Sequence, residues 1–566
     1  MQNSIYSYSK FYGFFTKYSL LGNYGFFNGL RSRITQKILP EYIEEDSFEH
    51  FVLNAFKKKQ SSQKLSELIE FNTIDLNKLQ ADLYLSIISL CSKVTSVGLD
   101  KKIKYKLESL SLDVELFATL TSHCAQINNR EQKDIDSIIE EIQTVFDSFR
   151  KQKNKFGTSI QLTYKTSLVK KYLNRLKLLV QLYYNNSDLN TWDLLINKYA
   201  EEHSNHKSVL KYFKYHFDLV LLQAVEHTSK QGQKYIAVNH KEYMSFLRKS
   251  MLAGATISIF ATIKIYLDSK GLSSMNNALL YSLNYAACFI SAKKLGGIIA
   301  TKQPAMTAST ISKFVDQNDN FKVDNAERII NIIKNTSRSQ FISFIGNVAI
   351  ALPLTCLIFY LANAFIDGAS VSTYKANVLL NETSAKNIIN LYYAAIAGIF
   401  LSLSGFISGY VDNKMVFTKA RYRIQESSIL NLFFSKATLK KHSVKIENNI
   451  GASVGNICLG LFLGSSFLIG EFFSIPFDIR HIAFSASYLG ILIAKGGLSI
   501  LDFSMSFLGV WLIGTVNFLV SFCITLFITL KTRGITINQL SEATKGLLKD
   551  VFYDPFSFII FKKSKS

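Results

Sequence analysis

Residues 341–366 read FISFIGNVAIALPLTCLIFYLANAFI, 26 residues without a charged side chain. As an α-helix this stretch would measure about 39 Å, against roughly 30 Å of bilayer hydrocarbon. Pro353 lies in its middle, where it is expected to kink the helix. Length and composition together predict a membrane-crossing helix. The sequence downstream repeats the pattern: residues 387–411 are uncharged for 25 positions, 448–470 for 23 and 503–530 for 28. Upstream, residues 251–267 form a further span with Lys264 near one end, where a long side chain can snorkel to the interface. Residues 278–291 are shorter and end at Lys293 and Lys294. These stretches predict about six spans. The segment 477–501 is the odd one. It is apolar from Ile482 to Ala494, then meets Lys495 and two glycines, and reads as a re-entrant or outer-face helix.

Loop charge orients the spans. Residues 292–340 hold eight Lys and Arg, and residues 412–448 hold eight more. The alternating loops are poor, with Lys270 alone in 268–277, Lys375 and Lys386 in 367–388, and Arg480 alone in 471–481. The rich loops are expected on the cytoplasmic side. The tail carries Lys531, Arg533, Lys545 and Lys549, so both termini are expected inside, in the bacterial inner membrane. An even number of crossings then requires that 477–501 not traverse.

The rest of the 566 residues is different in kind. Residues 1–249 are charged every few positions and contain no apolar run of membrane length. Ile135, Ile138, Ile139, Ile142 and Val145 follow helical spacing, as do Leu173, Leu176, Leu179, Val180 and Tyr183. Only five prolines occur. The fold class expected is all-α: a basic cytoplasmic helical region over 1–249, a polytopic transmembrane bundle over 250–530, and a basic cytoplasmic tail over 531–566. Residues 11–30 are aromatic-rich but broken by Lys17, Asn23 and Asn28, so they read as an interfacial or soluble helical element, not a secretory signal. The six cysteines show no CxxC pairing and read as reduced core or lipid-facing residues. The net charge of +22 suits membrane orientation, anionic lipid at the basic loops, or nucleic acid, the last less favoured.

Three polar clusters flank spans. Asp412 and Asn413 close the fourth, Glu447, Asn448 and Asn449 open the fifth, and Asp478, Arg480 and His481 follow it. Each also has a plain reading, as a helix cap or an interfacial ion pair. Together they are the candidate functional residues, because charges at membrane depth are costly and usually partnered. Gly451, Gly455, Gly460 and Gly464 supply two G-x-x-x-G spacings on the fifth span and read as helix-packing positions.

The strings GYVDNK (409–414), ENNIGASVGNICLGLFLG (447–464) and IPFDIRHIAFSAS (475–487), with ATKQPAMTAS (300–309), resemble the bacterial multi-spanning membrane family catalogued as "site-specific recombinase" after a gonococcal member. The resemblance is best over 290–500. It implies a polytopic inner-membrane protein and carries the label of a DNA recombinase, but brings no catalytic residues with it. The residues do not supply that chemistry either. A tyrosine recombinase needs a cationic cluster around the phosphate, usually with His-x-x-Arg, plus a nucleophile. None of the nine histidines has Arg three positions on, and the arginines of 1–249 are scattered. No P-loop, dinucleotide fingerprint, metal site or cofactor motif is present in the sequence. The expected role is non-enzymatic, in transport, envelope organisation or scaffolding. The alternatives are a membrane-associated recombinase and an enzyme acting on lipid-linked substrates.

Overall fold

The computed structural model describes residues 76–299, 323–365, 371–532 and 541–560, except 110, 152–159, 207 and 233–235, together with isolated positions between 15 and 52. The ATKQPAMTAS stretch at 300–309 and nearly all of 11–30 lie outside the described residues. Every described element is helical, so the chain is all-α. Its contacts divide it into two compact units, 1–220 and 221–566.

The first unit contains α1 (Leu76–Gly98), α2 (Lys101–Glu108), α3 (Leu116–Ala125), α4 (Gln132–Lys151), α5 (Ile160–Tyr184) and α6 (Leu189–His206). The apolar stripes of α4 and α5 fill its core through Ile135, Ile139, Ile142, Leu173, Leu176 and Leu179, all fully buried. From α1 come Leu79, Leu83, Ile87 and Val94. α7 (Val209–Gly232) contains the division between the units. Beyond it, Leu221, Ala224 and Val225 cluster with Phe406, and the Ala237 amide donates to Ser339 Oγ at 2.8 Å. By contacts, therefore, residues 221–249 belong with the apolar bundle.

The second unit holds α8 (His240–Asp268), α9 (Ser274–Lys294), α10 (Val323–Phe365), α11 (Thr373–Thr383), α12 (Ile389–Phe417), α13 (Ala420–Gln425), α14 (Ser428–Phe433), α15 (Lys436–Phe473), α16 (Ile482–Lys495), α17 (Ile500–Thr532) and α18 (Ser541–Tyr553). Serines start several of them. Ser273, Ser372, Ser427 and Ser435 accept the amide three residues on, at the heads of α9, α11, α14 and α15. Among the described helices, five are long and apolar enough to cross a membrane: α8, α12, α15 and α17 over their lengths, and α10 from Ile330 onward.

α9 has Asn276, Asn277 and Asn284 among its 21 residues and is less apolar than these five. It nevertheless runs antiparallel along α15 from end to end. Ser274 Oγ donates to Glu471 at 3.0 Å, Asn456 Nδ2 donates to the Phe289 carbonyl at 3.0 Å, and Lys293 Nζ reaches the Asn449 carbonyl at 3.3 Å. Its 21 residues span about 31 Å. Glycine allows the contact. A Cβ on Gly464 would lie 2.2 Å from the Ser282 amide nitrogen, and one on Gly460 2.4 Å from that of Ala286. Gly451 and Gly455 turn to the other neighbour, α12, and meet Asp412 and Ser404. The glycines of α15 thus face α12 in its first half and α9 in its second.

Polar contacts define two ends of the bundle. At one end Lys375 pairs with Asp268, Lys386 with Asp502, and Ser274 with Glu471. At the other, Lys293 meets Asn449 and Gln425 Nε2 donates to Ser443 Oγ. That second end carries the basic residues of α13 and of the first turns of α15.

Replacing Gly464 by Val must move backbone rather than a flexible side chain. Gly464→Val should therefore cost at least the about 1–3 kcal/mol typical of overpacking. Leu461→Val, on the exposed side of the same helix, should change little. The thermal unfolding midpoints of the purified proteins provide the check.

Candidate functional site

The site begins where α15 stops. Ser474 takes a left-handed conformation (φ 53°), and the Ile475 amide returns to the Gly470 carbonyl at 3.0 Å. From there the chain runs back into the bundle without helical hydrogen bonds until α16 begins. Its backbone groups find partners on two neighbouring helices. The Arg480 amide donates to the Tyr393 carbonyl at 3.3 Å. The Asn517 amide group, halfway along α17, donates to the carbonyls of Arg480 (3.0 Å) and Ala394 (2.8 Å) and accepts from the Ile482 amide (3.3 Å). Ile482 packs with Phe344 and Val348 of α10, whereas Gly490, two turns later, faces Leu352 and Cys356. α16 therefore climbs back toward the end from which the chain entered. Every residue from Ile482 to Leu492 is buried, as expected only of a helix inside a bundle. Residues 475–495 thus enter the bundle and turn back within it, the path that the re-entrant reading of 477–501 requires.

This descent opens a cavity of about 230 Å³ between α8, α9, α11, α15, α16 and the 478–481 segment. Six Asp, Glu, Lys and Arg side chains line it, in three groups, with His481 beside them. Asp268, at the end of α8, pairs with Lys375 Nζ at 2.5 Å and accepts the Tyr281 hydroxyl at 2.6 Å. Arg480 binds Asp478 at 2.6 Å and Glu382 at 3.5 Å, and its guanidinium lies 5.1 Å from the Tyr393 ring centroid. Its side chain is only 10% exposed. Lys264 donates to the Tyr488 hydroxyl at 2.8 Å and sits 5.2, 5.7 and 5.2 Å from the ring centroids of Tyr281, Tyr285 and Tyr488. His481 is buried beside Phe289 and Phe484.

Such an arrangement can hold a polar solute. Charged and aromatic groups are fixed by one another, and the space they enclose is smaller than the 300–1,000 Å³ usual for drug-sized ligands.

The structure separates the sequence-derived candidates. Asp478, Arg480 and His481 line the cavity. Asp412 and Asn413 are buried at the opposite end, where Asp412 Oδ1 accepts the Gly451 amide at 3.0 Å and joins α12 to α15. Glu447, Asn448 and Asn449 are one turn before Gly451, with Asn448 and Asn449 exposed. About 30 Å of helix lies between Gly451 and Glu471, so the two groups do not converge. Sequence reasoning passed over Asp268, Tyr281, Tyr285, Glu382 and Tyr488. Lys264 was legible as a charge near a span end, but it turns into the cavity instead of snorkelling outward. The other signal available was the pairing of Lys375 with acids in the charge-poor loops.

Arg480→Ala would leave Glu382 and Asp478 facing each other without their shared cation. Loss of one partner of a buried pair costs about 3–5 kcal/mol, and this variant should unfold at a correspondingly lower temperature. Asp478→Ala should cost less, because Glu382 remains. Adding Glu382→Gln to Arg480→Ala should recover part of the loss in the same melting experiment.

Comparison with known proteins places the chain by family alone. No curated protein and no solved structure matches it. A family model described as "Site-specific recombinase" matches residues 2–560, extending the motif resemblance over nearly the whole length, and the chain belongs to that family.

Proposed function

We propose that this chain is a multi-pass protein of the bacterial cytoplasmic membrane that binds a small polar solute in the cavity and passes it across, without covalent chemistry. The observation that carries this reading is the collection of six Asp, Glu, Lys and Arg side chains around one cavity inside an apolar bundle. Charges at membrane depth are expensive, and where they persist they mark binding sites and pathways. α8, α9, α10, α12, α15 and α17 make six crossings on this reading, and α16 makes none. The positive-inside rule puts the basic end, the N-terminal region and the tail in the cytoplasm and turns the cavity end outward. Anionic lipid is the natural partner of the basic loops.

Cysteine accessibility tests the pathway and the orientation together. In a cysteine-free background, an impermeant thiol reagent applied to spheroplasts should label Asn277→Cys quickly and Ser485→Cys, in the cavity wall, more slowly. Lys441→Cys should react only after lysis. Reaction of Lys441→Cys before lysis would reverse the orientation. Failure of Ser485→Cys to react from either side would rule out a pathway.

The family description favours a second reading, DNA strand exchange, and the cavity does set tyrosines beside cations. The geometry argues against it. A duplex, whose major groove alone is about 12 Å wide, is too large to enter a cavity of about 230 Å³. Incubation of the purified protein with supercoiled DNA should give no covalent adduct. An adduct that disappears when Tyr281, Tyr285 or Tyr488 is changed to Phe would establish the second reading.

A further inference from the structure

The cations of the cavity are neutralised unequally. Lys375 has Asp268 at 2.5 Å, and Arg480 has both Asp478 and Glu382. Lys264 has no carboxylate within 4.0 Å among the described residues, and Glu382 and Asp268 act on it only from beyond that distance; its direct contacts are three tyrosine rings and one hydroxyl. An ammonium offers three donors, and Tyr488 takes one of them. Aromatic faces stabilise a cation, yet they bring no negative charge and accept no strong hydrogen bond. The Lys264 ammonium therefore lines the cavity with donors to spare and with its charge unmatched at contact distance.

We propose that the solute carries a carboxylate or phosphate group and that this group seats on the Lys264 ammonium from the cavity side, at the rim of the cage formed by Tyr281, Tyr285 and Tyr488. The assignment rests on the solute-binding reading above and gives it a ligand class. An anion supplies an acceptor and a counter-charge in direct contact with the ammonium, and the Tyr285 and Tyr488 hydroxyls can donate to its remaining oxygens, that of Tyr281 being given to Asp268. A cation is excluded from the same place, because the Lys264 ammonium already occupies the aromatic cage. Arg480 is not the anion's seat, since two carboxylates already surround it. A free organic acid, inorganic phosphate and the headgroup of an anionic lipid share this chemistry.

The test uses the full-length protein in nanodiscs of phosphatidylcholine, with thermal unfolding as the readout. A ligand that binds only the folded state raises the midpoint in a saturable manner. At constant ionic strength, sodium acetate or sodium phosphate should raise it, and acetamide, the neutral analogue of acetate, should not. The rise should vanish in Lys264→Gln and survive in Lys264→Arg and in Lys386→Gln, a lysine that pairs with Asp502 and does not line the cavity. A rise with phosphatidylglycerol in the nanodisc, absent with either free anion and lost in Lys264→Gln, would identify the source as a lipid headgroup. The proposal is overturned if acetamide acts as strongly as acetate, if Lys264→Gln keeps the full rise, or if neither free anions nor phosphatidylglycerol raise the midpoint. In each of these cases labelling of Ser485→Cys could still succeed, so the anion assignment and the pathway fail separately.

Discussion

Asn517 answers the one demand that an apolar bundle makes of irregular backbone. Away from water, each unpaired amide or carbonyl costs several kcal/mol, so a chain can leave helical geometry there only if the protein supplies partners. Residues 475–481 leave it, and the Asn517 side chain meets the carbonyl of Arg480 and the amide of Ile482 while holding Ala394 of α12. Tyr393 takes the amide of Arg480. With those contacts the chain can turn inside the bundle, α16 can fill the centre, and Asp478, Arg480 and His481 come to line a cavity.

The same constraint shapes the charges. Ionised groups removed from water are tolerated when they are partnered, and a single partner lost is costlier than the pair is worth. The cavity follows this rule at Asp268 with Lys375, and at Arg480 with its two carboxylates. Lys264 is held differently, by ring faces. Close approach of the helices makes the enclosure possible. α9 can bring Tyr281 and Tyr285 to Lys264 because α15 presents glycines, not side chains, along their contact. Packing of small residues and placement of polar ones are thus two aspects of one arrangement.

Membership of the recombinase family fixes relationship, not chemistry. Strand exchange needs a nucleophile and several cations around a phosphodiester that can reach them. The cavity gathers tyrosines and cations but leaves no room for a duplex. On the solute-binding reading proposed above, the unequal contacts of the cavity's cations give the sign of that solute.

By itself the sequence determined that the chain is all-α and that its second half is an apolar helical bundle. Uncharged runs of 23 to 28 residues leave few alternatives, since a helix alone satisfies its own backbone in lipid. It also picked out Asp478, Arg480 and His481 through their position beside an apolar segment too short and too Gly-flanked for an ordinary span. It could not pair them with Glu382, nor bring Lys264 to Tyr488, 224 positions away in the chain. Nor could it tell that Asp412 serves the contact between α12 and α15 at the opposite end. Hydropathy is a local property of consecutive residues, whereas a cavity depends on which faces of six elements meet. Only the tertiary structure decided that, through glycine contacts and the hydrogen bonds of one asparagine.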